Sequence, residues 1–282
     1  MLKLWIRALG QGLAVAFVLV AGALVCKDIV EKTWGHRVAK RIIHVFHEWQ
    51  FESLDAPHAS TEALSAWKYS WRRAGWHVRV LTTFEAQHTG LYKAMLEALS
   101  QARVSHRSRE TACYLRYAAM AAVGGGWLAD LDTVPTYLTP GQELSNNGDF
   151  TIYQPDSSSL MSGTKMEYER IVAQMIDALK SKQKSTVTQS PDSCSDRLVL
   201  KAMATDGLIS IVPRVVPASS WPERGPCTNL TDAGHLAVHF SQRSIEALGY
   251  RVDARGVLIN RTMSLFWKCR GQANLLEPSL HA

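Results

Sequence analysis

The segment that decides the fold of this 282-residue chain reads Gly-Gly-Gly-Trp-Leu-Ala-Asp-Leu-Asp-Thr-Val-Pro and spans residues 124–135. Its glycines end an apolar helix, and a short apolar run then leads to two aspartates separated by one leucine. Residues two apart in an extended strand point to the same face, so the pattern predicts that Asp130 and Asp132 present their carboxylates side by side. Pairing ends near Pro135, because proline has no N–H to donate.

Strand and helix patterns alternate around this segment. Upstream, the sequence predicts strands over 41–49 and 77–82 and helices over 61–74, 91–102 and 110–123. Downstream, it predicts strands over 149–154, 209–212 and 236–240, helices over 167–180 and 196–204, and a polar loop over 181–195. This alternation favours a single α/β, Rossmann-like domain with a mixed, mostly parallel sheet. Such sheets bind ligands outside the carboxyl ends of their strands, where the two aspartates are expected.

The composition is that of a folded protein, with 46% hydrophobic and 20% charged residues, and it excludes a disordered chain. The net charge of +6 and the pI of about 9.1 are basic enough to suggest nucleic acid as a partner. The basic residues are scattered in short groups, however. We therefore expect a solvated basic surface and no nucleic-acid partner, with anionic ligands such as nucleotide phosphates as the other use of the charge.

The N-terminus carries an uncharged, mostly apolar run from Ala8 to Val25, preceded by Lys3 and Arg7. The run is near the lower limit for crossing a bilayer core of about 30 Å, and the basic residues before it place the short tail in the cytosol. The predicted organisation is a cytosolic tail over 1–7, a transmembrane signal anchor over 8–26, a stem over 27–40 and a folded domain over 41–282.

Two other interpretations of the apolar run stay open. A cleaved signal peptide would use Ala21-Gly22-Ala23 as its cleavage site, and a buried core helix would involve no membrane. The anchor is favoured because the run is long for the apolar part of a signal peptide. Its terminal position behind two cations also argues against a core helix.

Glycosylation and cysteine patterns agree with a domain in the secretory pathway. Asn229-Leu-Thr231 and Asn260-Arg-Thr262 match the N-glycosylation acceptor pattern. Of the five cysteines, Cys26 lies at the end of the apolar run, which leaves Cys113, Cys194, Cys227 and Cys269. They form an even number, as expected where disulfides persist. Of the three pairings, we favour one that joins Cys194 to Cys227, since both lie in loop-like sequence, whereas Cys113 is expected in a helix as a buried thiol.

Two parallel carboxylates repel each other unless a positive charge lies between them. A hard divalent cation bound through oxygen is the most economical partner for Asp130 and Asp132. Such a cation can also neutralise and orient a diphosphate leaving group.

A wider stretch of the chain resembles a known family. A helix with Leu-Arg-Tyr at 115–117, a glycine pair, three residues, Asp-x-Asp and then Val-Pro is similar to the core of the DXD-containing sugar transferases of glycosyltransferase family 32. The match runs from Thr111 to Pro135. Weaker similarity extends to segments 42–44, 67–81 and 237–241.

The resemblance implies a GT-A-like nucleotide-diphospho-sugar transferase domain in the Golgi membrane, with its catalytic part in the lumen. It also implies a nucleotide-diphosphate sugar as donor, a glycan or glycoconjugate hydroxyl as acceptor, Mn²⁺ dependence and retention of the anomeric configuration. Mg²⁺ is the alternative ion, because hard oxygen ligands suit both. The family usually carries an aspartate three residues before the arginine. Cys113 stands at that position, so the resemblance does not indicate which sugar the donor carries.

Roles follow for the matching residues. Asp132 is expected to bind the metal directly, and Asp130 to bind ribose or sugar hydroxyls with a water-mediated contact to the metal. His239 is the expected second protein ligand, since imidazole suits Mn²⁺, and Arg116 is expected to contact donor phosphate or sugar. The donor-binding set is Asp130, Arg116, Gly125 and Gly126, and the catalytic set is Asp130, Asp132 and Arg116.

Two other function classes stay open. A glycoside hydrolase places two carboxylates about 5–9.5 Å apart, and Asp130 and Asp132 approach that separation, although on the same side of the sugar. A membrane-anchored protein without activity would keep the fold as a glycan-binding module.

Overall fold

The computed structural model of the chain describes residues 41–48, 57–102, 107–184, 195–221 and 234–276. The chain divides into two units, Met1–Arg41 and Ile42–Ala282. The predicted tail, anchor and stem lie outside the described residues, as do the acceptor pattern at Asn229 and the expected Cys194–Cys227 pair. Across the part that the structure describes, no helix is both long and apolar enough to span a membrane.

The described elements follow one another in an α/β pattern. The strands are β1 (Ile42–Phe46), β2 (His77–Leu81), β3 (Gly125–Ala129), β4 (Thr133–Pro135), β5 (Thr151–Gln154), β6 (Ser157–Thr164), β7 (Ser210–Ile211), β8 (Val215–Pro217) and β9 (Ala237–His239). The α-helices are α1 (Pro57–Arg73), α2 (Thr83–Ala86), α3 (Tyr92–Gln101), α4 (Arg107–Ala122), α5 (Lys165–Lys184), α6 (Asp196–Thr205), α7 (Gln242–Ala247) and α8 (Arg255–Leu276).

Six strands form the main sheet in the order β2-β1-β3-β6-β5-β7. β1 is parallel to β2 and β3, β5 is parallel to β7, and β6 is antiparallel to both β3 and β5. Three of the five pairings are parallel, which confirms the predicted α/β fold with a mixed, mostly parallel sheet. A second sheet has the order β4-β9-β8, in which β9 is antiparallel to β4 and parallel to β8.

Both faces of the main sheet are buried, as neighbouring residues of β3 show. Leu128 belongs to a core that includes residues of α3, α4, α5 and α6. Trp127 belongs to a second core on the opposite face with Trp67 and Trp71 of α1. The indole nitrogen of Trp71 donates to the carbonyl of Thr133 over 3.0 Å. This bond links α1 to the start of the second sheet. The second sheet also packs against α8, through Val134 and Val238.

The two aspartates do not share a strand face, and that prediction is wrong. β3 ends at Ala129, and the N–H of Thr133 donates to the carbonyl of Asp130 over 2.9 Å. Residues 130–133 therefore form a turn. The chain leaves the main sheet after β3 and enters the second sheet at β4, and this change of sheet requires a tight bend at the two aspartates.

The remaining acceptor pattern and the cysteines are placed as follows. Asn260 is exposed but lies within α8, whereas acceptor asparagines are expected in surface loops. Cys269, also on α8, is disulfide-bonded. Cys113 is a free thiol on α4, as predicted, but it is half-buried, whereas a buried thiol was expected.

Candidate functional site

The candidate site lies at the edge of the main sheet where β3 and β5 end and β6 begins. β3 and β5 both run antiparallel to β6, so Asp130 after β3, Gln154 at the end of β5 and Ser158 near the start of β6 meet at one edge. This is the edge at which sheets of this kind bind ligands. The second sheet brings His239 to the same place, because His239 pairs with Thr133 beside the turn.

Arg116 of α4 joins two carboxylates at the centre of the site. Only 8% of the residue is exposed, and a buried guanidinium needs acceptors for its charge. Nη1 donates to Asp130 Oδ1 over 2.6 Å, and Nη2 donates to Asp196 Oδ2 over 2.5 Å. The hydroxyls of Tyr117 and Ser158 also lie within hydrogen-bond distance of Nη2, at 2.8 and 2.5 Å, so its two N–H groups are shared among three acceptors. The planar fork of arginine allows this division between partners on opposite sides.

Asp130 is only partly covered by this arrangement. Its side chain is 31% exposed, and its backbone N–H donates to the carbonyl of Ser159 over 2.8 Å, which fixes the start of the turn. Burial raises the pKa of Asp130, Arg116 lowers it and Asp132 raises it, with a net shift upward.

Asp132 lies among different groups. His239 Nε2 is 3.3 Å from its Oδ1, and Arg255 Nη1 is 3.7 Å from its Oδ2. Burial favours the neutral acid, but His239 and Arg255 outweigh it and hold the pKa of Asp132 below its usual range. The two aspartates are thus shifted in opposite directions, which is typical of carboxylates with separate functions.

Gln154 orients the imidazole of His239. Nδ1 donates to Gln154 Oε1 over 2.8 Å, and Ser159 Oγ donates to the same oxygen over 2.6 Å. Because an amide oxygen only accepts, Nδ1 carries a proton and Nε2 is the nitrogen that faces Asp132. Burial lowers the pKa of His239 and Asp132 raises it, with a net shift upward. Metal-binding histidines are oriented in this way, through a partner on the other ring nitrogen.

Asp132 and His239 fit a divalent cation in their chemistry. Their facing atoms are 3.3 Å apart, close to the roughly 3 Å between adjacent ligands of an octahedral ion with bonds of about 2.1 Å. Among the described residues, no three His, Cys, Asp or Glu side chains form a group that could hold a metal. Two protein ligands suit Mg²⁺ or a similar ion that completes its coordination with water and substrate phosphates.

The structure brings Arg116, Asp130, Asp132 and His239 together, but it places Gly125 and Gly126 elsewhere. These glycines begin β3, about 15 Å along the strand from Asp130. A Cβ on Gly125 would lie 2.5 Å from the backbone nitrogen of Lys165. Close packing against β6 and α5 accounts for this glycine.

Four residues of the site were not identified from the sequence: Gln154, Ser158, Asp196 and Arg255. They come from β5, β6, α6 and α8, outside the segment that carries the aspartates, and no spacing links them to the Asp-x-Asp pattern. The one local signal is at Asp196, which follows Ser195 at a helix start. Ser195 Oγ caps that helix by accepting from the N–H of Leu198, so the pattern indicates a cap and gives no sign of a site.

A cavity of about 270 Å³ adjoins the site and shares Gln154 and Ser158 with it. It lies between the β5–β6 turn and α6. Apolar side chains, including Ile152 and Leu200, line part of it, and Arg197 and Lys201 add charged groups.

The chain matches no protein-family model, and it matches none of the curated proteins with which it was compared. The fold and the geometry of the site therefore carry the functional argument.

Proposed function

We propose that the chain is a metal-dependent glycosyltransferase that moves a sugar from a nucleotide-diphosphate donor to a glycan or glycoconjugate hydroxyl. The observation that carries this proposal is the turn at the carboxyl end of β3, where Arg116 holds Asp130 and His239 faces Asp132. The domain would have a GT-A-like fold. It would lie in the Golgi lumen behind an N-terminal membrane anchor.

Asp132 and His239 are the residues that would hold the ion, with Mn²⁺ first and Mg²⁺ as the alternative. When bound, the ion supplies neutralisation of the charge on the leaving diphosphate. Gln154 contributes by keeping the proton on His239 Nδ1, so that the Nε2 lone pair is directed to the ligand position. Asp132 contributes by remaining anionic, as its lowered pKa indicates.

Asp130 and Arg255 are the residues that would bind the donor. Arg116 holds Asp130 through Oδ1, so Oδ2 can accept from ribose or sugar hydroxyls. Arg255 faces Asp132, and its buried Nε has no hydrogen-bond partner within the described ranges. A diphosphate would supply such a partner, since arginine binds phosphate oxygens through several N–H groups at once.

The adjoining cavity is the proposed acceptor region. Its lining includes Gln154, which is hydrogen-bonded to His239, and Ser158, which is hydrogen-bonded to Arg116. A mixture of apolar wall and polar rim is typical of sites that bind small ligands.

The proposal includes retention of the anomeric configuration, which rests on the resemblance of residues 111–135 to glycosyltransferase family 32. Proton NMR of the product at early times reads the configuration directly. An inverted anomer would remove this part of the proposal and leave the transfer reaction intact.

A panel of UDP- and GDP-sugars tests the proposed function. The full chain in detergent is incubated with each donor and Mn²⁺, and release of nucleotide diphosphate is measured. We expect turnover of at least one donor, loss of turnover with a chelator, and loss in Asp132→Asn with cooperative thermal unfolding retained. Asp177→Asn is the matched control, since Asp177 is an exposed aspartate on α5 and does not line the cavity beside the site. No turnover and no nucleotide binding across the panel would refute the proposal.

The opposite pKa shifts of Asp130 and Asp132 also favour one second candidate, a glycoside hydrolase. The ion pair with Arg116 opposes this role, because it favours the ionised form of Asp130 over a proton-donating acid. A hydrolase would cleave simple aryl glycosides without metal. A binding module without activity would bind nucleotide or glycan with no turnover in either assay.

A further inference from the structure

We propose that Asp196 is a positioning residue for the donor site. It holds one side of the Arg116 guanidinium, and thereby leaves one oxygen of Asp130 open to the donor. The inference rests on the proposed function and adds to it a residue from α6, which lies 80 positions from Arg116 in the chain.

Asp196 is held on every side by protein donors. The residue is 5% exposed. Its Oδ2 accepts from Arg116 Nη2 over 2.5 Å and from the hydroxyl of Tyr117 over 2.9 Å. Its Oδ1 accepts from the N–H of Arg197 over 2.7 Å. Since it is 5% exposed and both of its oxygens accept from protein groups, Asp196 would act on the donor site through its partners.

The division of Arg116 between two carboxylates has a direct consequence at Asp130. An arginine with a single carboxylate partner tends to form two parallel hydrogen bonds, which occupy both carboxylate oxygens. Here Asp196 and Ser158 engage Nη2, and only Nη1 reaches Asp130, at Oδ1. Asp130 Oδ2 therefore keeps its capacity to accept from a ligand hydroxyl, and the side chain stays 31% exposed.

Position 113 offers a place from which a second carboxylate could reach the same guanidinium. Cys113 lies one helical turn before Arg116 on α4, where side chains three apart are neighbours. Burial raises the pKa of the Cys113 thiol, and the charges of Asp196 and Arg116 act on it as well. A carboxylate at position 113 would therefore lie beside Arg116.

Relocation of the carboxylate tests this inference. The full chain in detergent is assayed for Mn²⁺-dependent release of nucleotide diphosphate, with the donor sugar that the panel selects. We expect Asp196→Asn to raise the donor KM about 10- to 100-fold, as expected for a lost charge-assisted hydrogen bond, with kcat changed less than about threefold. Cys113→Asp combined with Asp196→Asn should restore the donor KM to within about threefold of wild type. Asp206→Asn, an exposed change just after the same helix, should leave both constants unchanged.

Ser158→Ala is a milder second variant that stays informative if Asp196→Asn does not fold. It removes one acceptor of Nη2 and should raise the donor KM by about threefold to tenfold. A wild-type donor KM in the variants of Asp196 and Ser158 would overturn the inference. A fall in kcat and thermal stability without a change in donor KM would also overturn it, as would a failure of Cys113→Asp to restore the KM.

Arginine NMR separates this inference from the proposed function. In the wild type, hindered rotation should give Arg116 separate Nη1 and Nη2 signals, and Asp196→Asn should average them. If no donor is turned over, the proposed function fails, while the NMR result still decides whether Asp196 fixes the guanidinium. Unchanged separate signals in Asp196→Asn would refute the positioning role.

Discussion

We predict that buried His44 makes the fold less stable as the pH falls below about 6.5. It lies on β1, is 4% exposed, and its Nδ1 is 3.1 Å from the carbonyl of Trp127. Burial lowers the pKa of His44 from 6.5 to about 4, the bond to Trp127 opposes the shift, Arg79 adds to it and Glu85 opposes it. The imidazole is therefore neutral in the folded chain at neutral pH.

The size of the effect follows from the two pKa values. In the unfolded chain, a histidine with a pKa near 6.5 takes up a proton as the pH falls, whereas folded His44 stays neutral until about pH 4. The contribution of neutral His44 to the free energy of unfolding is then fully present above about pH 6.5. Between pH 6.5 and 4 it falls by about 1.4 kcal/mol per unit, and the total loss is about 3 kcal/mol below pH 4.

Urea unfolding at several pH values between 4 and 7, followed by tryptophan fluorescence, measures this dependence. His44→Leu should be less stable at pH 7, because the carbonyl of Trp127 loses a partner. Between pH 6.5 and 4, however, its free energy of unfolding should fall by about 3 kcal/mol less than that of the wild type. His77→Asn, a change at an exposed position of β2, should keep the wild-type slope. An equal slope in His44→Leu and wild type would refute the assignment.

Two further predictions concern packing and the metal. Gly125→Ala places a Cβ 2.5 Å from the Lys165 nitrogen at a φ of +80° and should cost more than about 3 kcal/mol of unfolding free energy; Gly124→Ala, with positive φ but open space around it, should cost about 1–2 kcal/mol. Equal losses in urea unfolding would show that the close contact is unimportant. Gln154→Leu removes the acceptor of His239 Nδ1 and should raise the Mn²⁺ concentration for half-maximal donor hydrolysis about 10- to 100-fold. An unchanged Mn²⁺ requirement would contradict the role of Gln154.

The parallel half of the main sheet could be predicted because β1, β2 and β3 are short apolar segments between amphipathic or apolar helices. β6 could not be predicted, although it is a central strand. Its sequence, Ser-Ser-Ser-Leu-Met-Ser-Gly-Thr over 157–164, has the serines and glycine that favour loops. Folding satisfies the buried hydroxyls: Ser159 Oγ donates to Gln154, and Ser162 Oγ is hydrogen-bonded to the Tyr153 hydroxyl. Burial between two strands thus overrides local propensity.

From spacing alone, only those site residues that lie close together in the chain could be predicted. Arg116 and the two aspartates lie within 17 residues of one another, and His239 was identified from its chemistry and the family resemblance. Asp196 and Arg255 reach the site through the packing of α6 and α8. α8 itself was not predicted. Contacts between elements so distant in the chain leave no periodic signal in the sequence.

The turn at residues 130–133, where a strand was predicted, gives the two aspartates unlike environments. On one strand face, Asp130 and Asp132 would share the same neighbours and would compete for the same cation. The turn directs them to different partners. Asp130 is hydrogen-bonded to Arg116, whose guanidinium also contacts Asp196 of α6. Asp132 lies next to His239 and Arg255. One carboxylate therefore belongs to a cluster with a permanent cation, and the other faces an imidazole that suits a metal. In the proposed function, the two aspartates of the Asp-x-Asp pattern would have one task each, because unlike environments would separate hydroxyl binding from metal binding.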